Sequence, residues 1–307
     1  MAHAHDHARQ AIGATPFQSG SQRNRRRLTL VFLFTFAFAL IEIAGGLLTN
    51  SLALLADAGH MLTDTAGLGI ALTAVWFASR PATRTRSYGL YRLEILAALV
   101  NALVVVGVAC YILLESVLRL SDPPDVEATG LVVIAAIGLV VNLAGLKVLS
   151  VCADESLNIR GAYLELITDA LGSVAAVAAG VILLTTGWRY ADPLFGAGIA
   201  LFMVPRALRL MWQALHILLE GTPAHIDARS VEAAMLALPH VQAVHDLHIW
   251  AITSGMDVLS CHLVVDNPAY VQDHLREVGN MLLERFDIAH MTVQIEGPDF
   301  VEAGPPF

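Results

Sequence analysis

Two hydrophobic stretches of this sequence carry acidic and histidine side chains at helical spacing. His60 and Asp64 are four residues apart, and so are Glu165 and Asp169. Residues at this spacing lie on the same face of a helix. Nitrogen and oxygen donors on two facing helices can complete the tetrahedral shell that Zn²⁺ prefers and that Co²⁺ or Cd²⁺ tolerates. The spacing therefore predicts a divalent transition-metal site formed by these residues.

Three further polar residues occur in hydrophobic segments, and we treat them as candidate supporting residues of this site. They are Asp57, Glu42 and Asn142. A lone polar residue in a membrane helix often serves helix pairing, whereas an intramembrane ionisable residue often marks a transport path. Both interpretations stay open for these three residues. The two matched pairs favour transport, because two such spacings rarely arise by chance.

The composition indicates a membrane protein. Of the 307 residues, 56% are hydrophobic and 15% are charged, which is too apolar for an ordinary soluble domain. Six hydrophobic runs have about the 20 residues that a bilayer helix needs. We expect transmembrane helices at residues 28–48, 53–78, 92–118, 128–149, 161–186 and 192–217.

Basic residues indicate the orientation of these spans. They cluster before the first span, between the second and third, around the connection of the fourth and fifth, and at Arg206 near the end of the sixth. The connections on the opposite side of the membrane contain only Arg119 and Arg189 as basic residues. Turn-forming residues at 121–125 and 191–193 also lie on that side. Because cytoplasmic loops are enriched in basic residues, we expect both termini in the cytoplasm and the protein in the inner cell membrane.

After about residue 220 the composition changes to that of a soluble α/β module. Helical and strand patterns alternate in the order αββαβ, which predicts an α+β domain with two helices on one face of a small sheet. A domain of about 80 residues buries little surface alone, so we expect dimerisation through it. The chain then divides into an N-terminal arm (1–27), a transmembrane domain (28–219) and a cytoplasmic domain (220–307).

Other function classes fit this sequence poorly. The net charge of −9, with no stripe of lysine and arginine, argues against nucleic-acid binding. The cysteines Cys110, Cys152 and Cys261 are far apart, which fits a reduced compartment or the bilayer rather than disulfides. A membrane-bound metal-dependent enzyme would need an HExxH motif or a nucleophile with a base, and neither occurs. A passive divalent-metal channel would need a wide polar lining, whereas the polar groups here are confined to one level.

Six motifs follow one another along nearly the whole chain. They are GLLTNSLALLADAGHMLTD (46–64), RSYGLYRLEILAALVNAL (86–103), LNIRGAYLELITDALGS (157–173), ADPLFGAGIAL (191–201), HDLHIWAITSG (245–255) and HMTVQIE (290–296). In these motifs and their order the chain resembles the cation diffusion facilitator family, in its zinc, cobalt and cadmium exporting branch. The resemblance implies a homodimeric six-span antiporter in the lipid bilayer that exchanges a divalent metal for protons by alternating access. It also implies that the cytoplasmic α+β domain is of the ferredoxin-like, metallochaperone type. By position, His60, Asp64 and Asp169 match the family's transport ligands.

The sequence departs from the family pattern at Glu165, where members usually have His or Asp. A shell with three carboxylates is harder than a two-histidine shell, so it could relax selectivity from Zn²⁺ towards other divalent ions. The loop at 79–92 contains no histidine or acidic residue, and the connection at 147–161 lacks a histidine-rich insert. We therefore expect selectivity to come from the membrane site.

The C-terminal domain carries a second candidate metal site. His245 and His262 fall on adjacent predicted strands, and His290 and Glu296 share a face of the last strand because their numbers differ by an even amount. These four residues resemble the family's cytoplasmic metal site. A metal bound there would be a regulatory ligand that tightens the dimer.

The N-terminal arm carries His3, His5 and His7 next to Asp6. A flexible arm of this composition could chelate a metal weakly. A solvated tail or a tag remnant is the alternative interpretation.

Overall fold

The computed structural model describes residues 22–78, 83–150, 157–266 and 270–300. Within these ranges the elements are α1 (Gln22–Thr49), α2 (Leu52–Ala78), α3 (Arg92–Ser121), α4 (Ala128–Ser150), α5 (Leu157–Thr186), α6 (Ala191–Leu218), α7 (Ala228–Leu236), β1 (Val241–Thr253), β2 (Met256–Val265), α8 (Val271–Phe286) and β3 (His290–Glu296). The histidines of the predicted N-terminal arm and Cys152 lie outside the described residues.

Helices α1 to α6 overlap the six hydrophobic segments that the sequence predicts as helices. Among the described residues, five helices are long and apolar enough to cross a membrane: Thr29–Thr49, Arg92–Ser121, Ala128–Ser150, Tyr163–Thr186 and Ala191–Leu218. Many of their leucine, valine and phenylalanine side chains are exposed in the single chain, as expected for surfaces that face lipid. The side chains in the C-terminal part of α2 lie outside the described residues, so a sixth span stays a prediction.

The described chain forms two compact units. The first contains the described residues up to Gly69 together with Leu103–Ala207. The second unit contains the described residues of Ile70–Ala102 and the described residues from Leu208 onwards.

Helix α2 packs on two sides in the first unit. On one side, Ala56 belongs to a buried apolar cluster with residues of α3 and α6, which include Ala109 and Ala200. On the other side, Ala53 and Leu54 pack with residues of α4 and α5. Small residues at these contacts let the helices approach closely. The packing fixes the position of the helix that carries His60 and Asp64.

The start of α2 is held by a residue from a distant part of the chain. Asp192, at the start of α6, is fully buried. Its carboxylate accepts hydrogen bonds from the backbone N–H groups of Leu52 at 2.8 Å and Ala53 at 3.1 Å, and from the hydroxyl of Ser51 at 2.5 Å. It therefore satisfies donors that every helix leaves free in its first turn.

The second unit contains an α+β module with the predicted order αββαβ. Strand β1 pairs antiparallel with β2, and β2 pairs parallel with β3. Odd-numbered residues of β2, such as Leu259 and Leu263, pack with Met235 of α7 and Leu282 of α8 in the core. Because side chains alternate along a strand, even-numbered residues of β2 point to the face away from these helices.

The same unit joins the first turn of α3 to this module. The hydroxyl of Thr253, the last residue of β1, donates a hydrogen bond to Glu94 at 2.5 Å. Arg92 forms an ion pair with Glu220 at 2.8 Å. The N-terminus of an apolar helix and the last residue of β1 are thus connected by one hydrogen bond.

Candidate metal centres

Helices α2 and α5 bring together His60, Asp64 and Asp169. Nδ1 of His60 lies 3.8 Å from Oδ2 of Asp64, and Nε2 lies 3.9 Å from Oδ1 of Asp169. One ligand atom from each of the three residues lies within 4.8 Å of the others. Ligand atoms of a tetrahedral zinc ion are about 3.3 Å apart. The group is slightly wider than a zinc shell, so small side-chain rotations would close it around an ion.

The group lies in a dry environment. His60 and Asp169 are each 4% exposed, and Asp64 is partly buried. Nε2 of His60 and Oδ1 of Asp169 make no hydrogen bond to the described protein groups. Buried polar atoms without partners are costly. A divalent cation would satisfy both atoms and offset the charges of the carboxylates.

Glu165 lies outside this three-residue group and contacts an arginine. Its Oε1 accepts a hydrogen bond from Nη2 of Arg206 at 3.0 Å, and Nη1 of the same arginine lies 3.4 Å from Oδ2 of Asp64. The predicted fourth ligand is therefore joined to the group through a guanidinium from α6. The sequence predicts only a contribution of Arg206 to membrane orientation, because nothing in the local pattern indicates which carboxylates it meets.

Two of the candidate supporting residues, Asp57 and Asn142, belong to a separate buried cluster, and Glu42 lies against Gly138 of α4, one turn before Asn142. Glu42, Asp57 and Asn142 are all fully buried, as is Ser173 of α5. The Ser173 hydroxyl donates to Oδ2 of Asp57 at 2.9 Å, and Nδ2 of Asn142 donates to the Ser173 oxygen at 3.3 Å. No hydrogen bond or ion pair within the described residues joins Glu42, Asp57 or Asn142 to the group of His60.

The C-terminal sheet brings His245, His262 and Glu296 together on the face away from the helices. The register pairs His245 directly with His262, and the two ring centroids are 4.9 Å apart. Nε2 of His245 lies 3.1 Å from Oε2 of Glu296, and Nδ1 of His262 lies 2.9 Å from Oε1. Their ligand atoms all lie within 4.8 Å of one another. Two imidazoles and a carboxylate at these distances are suited to a divalent transition metal.

His290 is not part of this group. It pairs with Val258 at the start of β3, whereas Glu296 pairs with Val264 at its end. Its ring contacts Tyr88, with the centroids 6.2 Å apart. Gln294, on the same strand, contacts the group instead. Its side-chain amide donates a hydrogen bond to Oε1 of Glu296 at 2.9 Å.

Two known protein families match this chain. The profile of the cation efflux transmembrane domain matches residues 28–219. The profile of the cytoplasmic domain of cation efflux proteins matches residues 223–298. The first match contains the group of His60, and the second contains the group of His245.

Individual relatives match over most of their length. The chain is 46% identical over 274 residues to the metal cation efflux system protein CzcD of Cupriavidus metallidurans, covering 89% of this chain and 87% of that protein. It is 42% identical over 262 residues to the cadmium, cobalt and zinc/H(+)-K(+) antiporter of Bacillus subtilis, covering 84% of each. It is 38% identical over 306 residues to the zinc transporter ZitB of Escherichia coli, covering 97% of this chain and 95% of that protein.

A solved structure also matches the C-terminal part of the chain. It is the metal-bound C-terminal domain of the CzcD transporter from Cupriavidus metallidurans. The identity is 44%, and the match covers 23% of this chain and 99% of that chain, with a TM-score of 0.22.

Proposed function

The chain belongs to the cation efflux family, in the zinc, cobalt and cadmium branch, and we propose that it exports its metal in exchange for protons. It is a divalent metal cation efflux transporter of the membrane, which confirms the family and function that the sequence predicts. The relative in Bacillus subtilis is named as an antiporter of cadmium, cobalt and zinc against H⁺ and K⁺. That name supports a proton as the counter-ion.

One observation carries the assignment of the transport site. His60 and Asp64 on α2 and Asp169 on α5 converge inside an apolar helical unit, and two of their buried atoms make no hydrogen bond. We infer that these residues bind the transported ion and that Glu165 completes the shell when Arg206 moves away from it. Zn²⁺ fits this set of one nitrogen and three oxygen donors, and Cd²⁺ and Co²⁺ can use it as well.

The proposed mechanism is alternating access. In the inward-facing state the carboxylates release protons to the cytoplasm and bind the metal ion there. The loaded helices then rearrange, so that the site opens to the outside, where protons replace the metal. An inward proton gradient drives export, because each cycle returns the site protonated.

This mechanism rests on a topology that we also propose. The protein lies in the inner cell membrane and crosses it six times. Both termini then lie in the cytoplasm. The boundaries are an arm at 1–27, a transmembrane domain at 28–219 and a cytoplasmic, ferredoxin-like domain at 220–307. A homodimer formed through the last domain fits its small size.

The group of His245, His262 and Glu296 is proposed as a regulatory site. It lies on the sheet of the C-terminal module rather than among the apolar helices. A metal that binds there would stabilise one arrangement of this module and so bias the transport equilibrium. The contact of Thr253 with Glu94 offers a direct connection from the sheet to α3. His290, which the sequence also predicts as a ligand, would have to reach this group through a rearrangement of β3.

Reconstituted vesicles test the transport proposal. We expect purified protein to take up Zn²⁺ into proteoliposomes with an opposite proton flux, reported by a dye in the lumen. The variants Asp64→Ala and Asp169→Ala should lose uptake while remaining folded, because each removes an anionic ligand. Glu115→Ala, which removes a carboxylate paired with Arg119 on α3, is the matched control. Normal uptake by either ligand variant would overturn the site, and metal flux without proton flux would overturn antiport.

A further inference from the structure

Glu42 is a buried carboxylate that has no hydrogen-bond partner among the described residues. Neither oxygen of Glu42 makes a hydrogen bond within the described residues, and the same holds for Oδ1 of Asp57 and Oδ1 of Asn142. All three residues are fully buried. No lysine or arginine of the described chain forms an ion pair with either carboxylate. Among the described residues, these two buried carboxylates therefore have no positively charged partner.

The surrounding helices leave room for these carboxylates. A Cβ atom added at Gly138 of α4 would lie 2.7 Å from Oε1 of Glu42. A Cβ atom added at Gly172 of α5 would overlap Oδ1 of Asp57. Glycine on both neighbouring helices thus allows the two acidic side chains to lie against the helix surfaces.

A purely structural role accounts for only part of this cluster. The chain of hydrogen bonds from Asn142 through Ser173 to Asp57 connects α4, α5 and α2, as helix-pairing residues do. Glu42 takes no part in that chain. Glu42 makes no hydrogen bond within the described part of the chain, and burying such a carboxylate costs free energy, so packing alone gives no reason for it.

We propose that Glu42 and Asp57 form a second cation site, separate from the metal group, that holds one proton. The inference rests on the proposed antiport and names a further location for its counter-ion. Two carboxylates in a dry interior cannot both stay ionised without a cation between or beside them. A proton on Glu42 supplies the missing donor and needs no additional space, whereas a metal ion would need several further ligands.

The charges that face this pair connect it to the metal group. Asp57 precedes His60 by one turn on α2, and Ser173 follows Asp169 by one turn on α5. On α4, Asn142 reaches Asp57 through the hydroxyl of Ser173, and Gly138, one turn earlier on the same helix, lies against Glu42. When a divalent ion binds His60, Asp64 and Asp169, its positive charge favours the ionised form of the nearby pair. The carboxyl group then releases its proton to the solution as the metal enters, and regains one when the metal leaves.

The experiment counts protons released on metal binding. Zn²⁺ is titrated into the purified full-length protein by calorimetry in buffers of different ionisation enthalpy, which gives the number of protons released per ion. We expect Glu42→Gln to release about one proton fewer than the wild type, while Zn²⁺ affinity changes by less than about tenfold, because the pair is not a metal ligand. Asp57→Asn, on a different helix, should have the same effect. Glu42→Asp keeps the carboxyl group and should retain the wild-type proton count. Glu115→Gln, which removes a carboxylate outside the pair, is the control.

Each other outcome overturns the proposal in a distinguishable way. An unchanged proton count in folded Glu42→Gln and Asp57→Asn would make the pair a permanently protonated structural element, while antiport itself could stand. No proton release from the wild type would overturn antiport as well. The Zn²⁺ titration is repeated with choline in place of K⁺ as the buffer cation. If this exchange changes Zn²⁺ binding by the wild type but not by Glu42→Gln, the site holds an alkali ion and not a proton.

Discussion

The guanidinium of Arg206 lies between Glu165 and Asp64, 3.0 Å from the first carboxylate and 3.4 Å from the second. One side chain of α6 thus supplies positive charge to acidic residues on both α2 and α5. A bound metal ion would supply the same kind of charge at nearly the same place. The arginine and the metal therefore compete for Asp64, and for Glu165 where that residue acts as a ligand.

The first prediction follows from this competition. Arg206→Gln should tighten Zn²⁺ binding about threefold to tenfold, a modest change because the arginine side chain is half exposed and solvent weakens its ion pairs. Chelator competition on the purified protein measures the affinity. Arg209→Gln, three residues later on the same helix, is the matched control. Weaker binding by Arg206→Gln would mean that the arginine supports the metal-bound state instead.

Replacement of Glu165 by histidine tests whether this residue is a ligand. Glu165→His exchanges a hard anionic oxygen for a borderline nitrogen and gives a shell of two histidines and two aspartates. We expect a higher preference for Zn²⁺ over Mn²⁺ and a changed pH profile of transport. Metal competition across pH in vesicles measures both, with Glu165→Asp as the carboxylate control. If selectivity and pH profile both stay as in the wild type, the site consists of three residues and water.

The sequence predicts those features that depend on local periodicity. The long apolar runs match α1 to α6, because the length of a bilayer helix is visible in a continuous stretch. The spacing of His60 and Asp64 places them on one face of α2, since a helix repeats at a known interval. The αββαβ order of the C-terminal module is predicted for the same reason.

Features that depend on contacts between distant segments cannot be predicted from local sequence patterns. Asp192 meets the start of α2 from about 140 positions away, so its local pattern indicates only a turn. Arg206 likewise meets Asp64 and Glu165 only once three helices have packed. His290 illustrates a further limit. The even spacing from Glu296 says nothing about distance, and a separation of six residues spans roughly 20 Å along the strand.

Loss of the Asp192 carboxylate should destabilise the first unit. Asp192→Ala leaves the N–H groups of Leu52 and Ala53 and the hydroxyl of Ser51 without their acceptor in a buried location. We expect a loss of about 2 kcal/mol in stability, at the upper end for a helix cap because the site is buried. Thermal unfolding in detergent measures it, and Asp192→Asn, which keeps one acceptor oxygen, should lose less. Equal stability of Asp192→Ala and the wild type would contradict this role.

His240 in the C-terminal module provides a prediction about pH. Its Nδ1 donates a hydrogen bond to Asp266 at 2.9 Å, and this bond and the aspartate charge raise the pKa of His240 above its usual value of about 6.5. The charged form is thus favoured in the folded state. Its contribution to stability is complete below about pH 6.5 and is lost as the pH rises through the folded-state pKa. NMR titration of the imidazole should give a lower pKa in Asp266→Asn, and an unchanged value would contradict the assignment.

The last prediction separates the two metal groups by function. His245→Ala and His262→Ala each remove a ligand that contacts Glu296 on the C-terminal sheet, so they should weaken metal binding by the C-terminal module and lower dimer stability. Residual transport should remain in both, because the group of His60, Asp64 and Asp169 is intact. His225→Ala, which removes an imidazole that pairs with Asp257 rather than with Glu296, is the matched control. Two measurements test this prediction: Zn²⁺ uptake into vesicles and dimer dissociation. Each is made with and without prior treatment with a chelator. If either histidine variant were as inactive as Asp64→Ala, the C-terminal group would belong to the transport path and its regulatory role would be wrong.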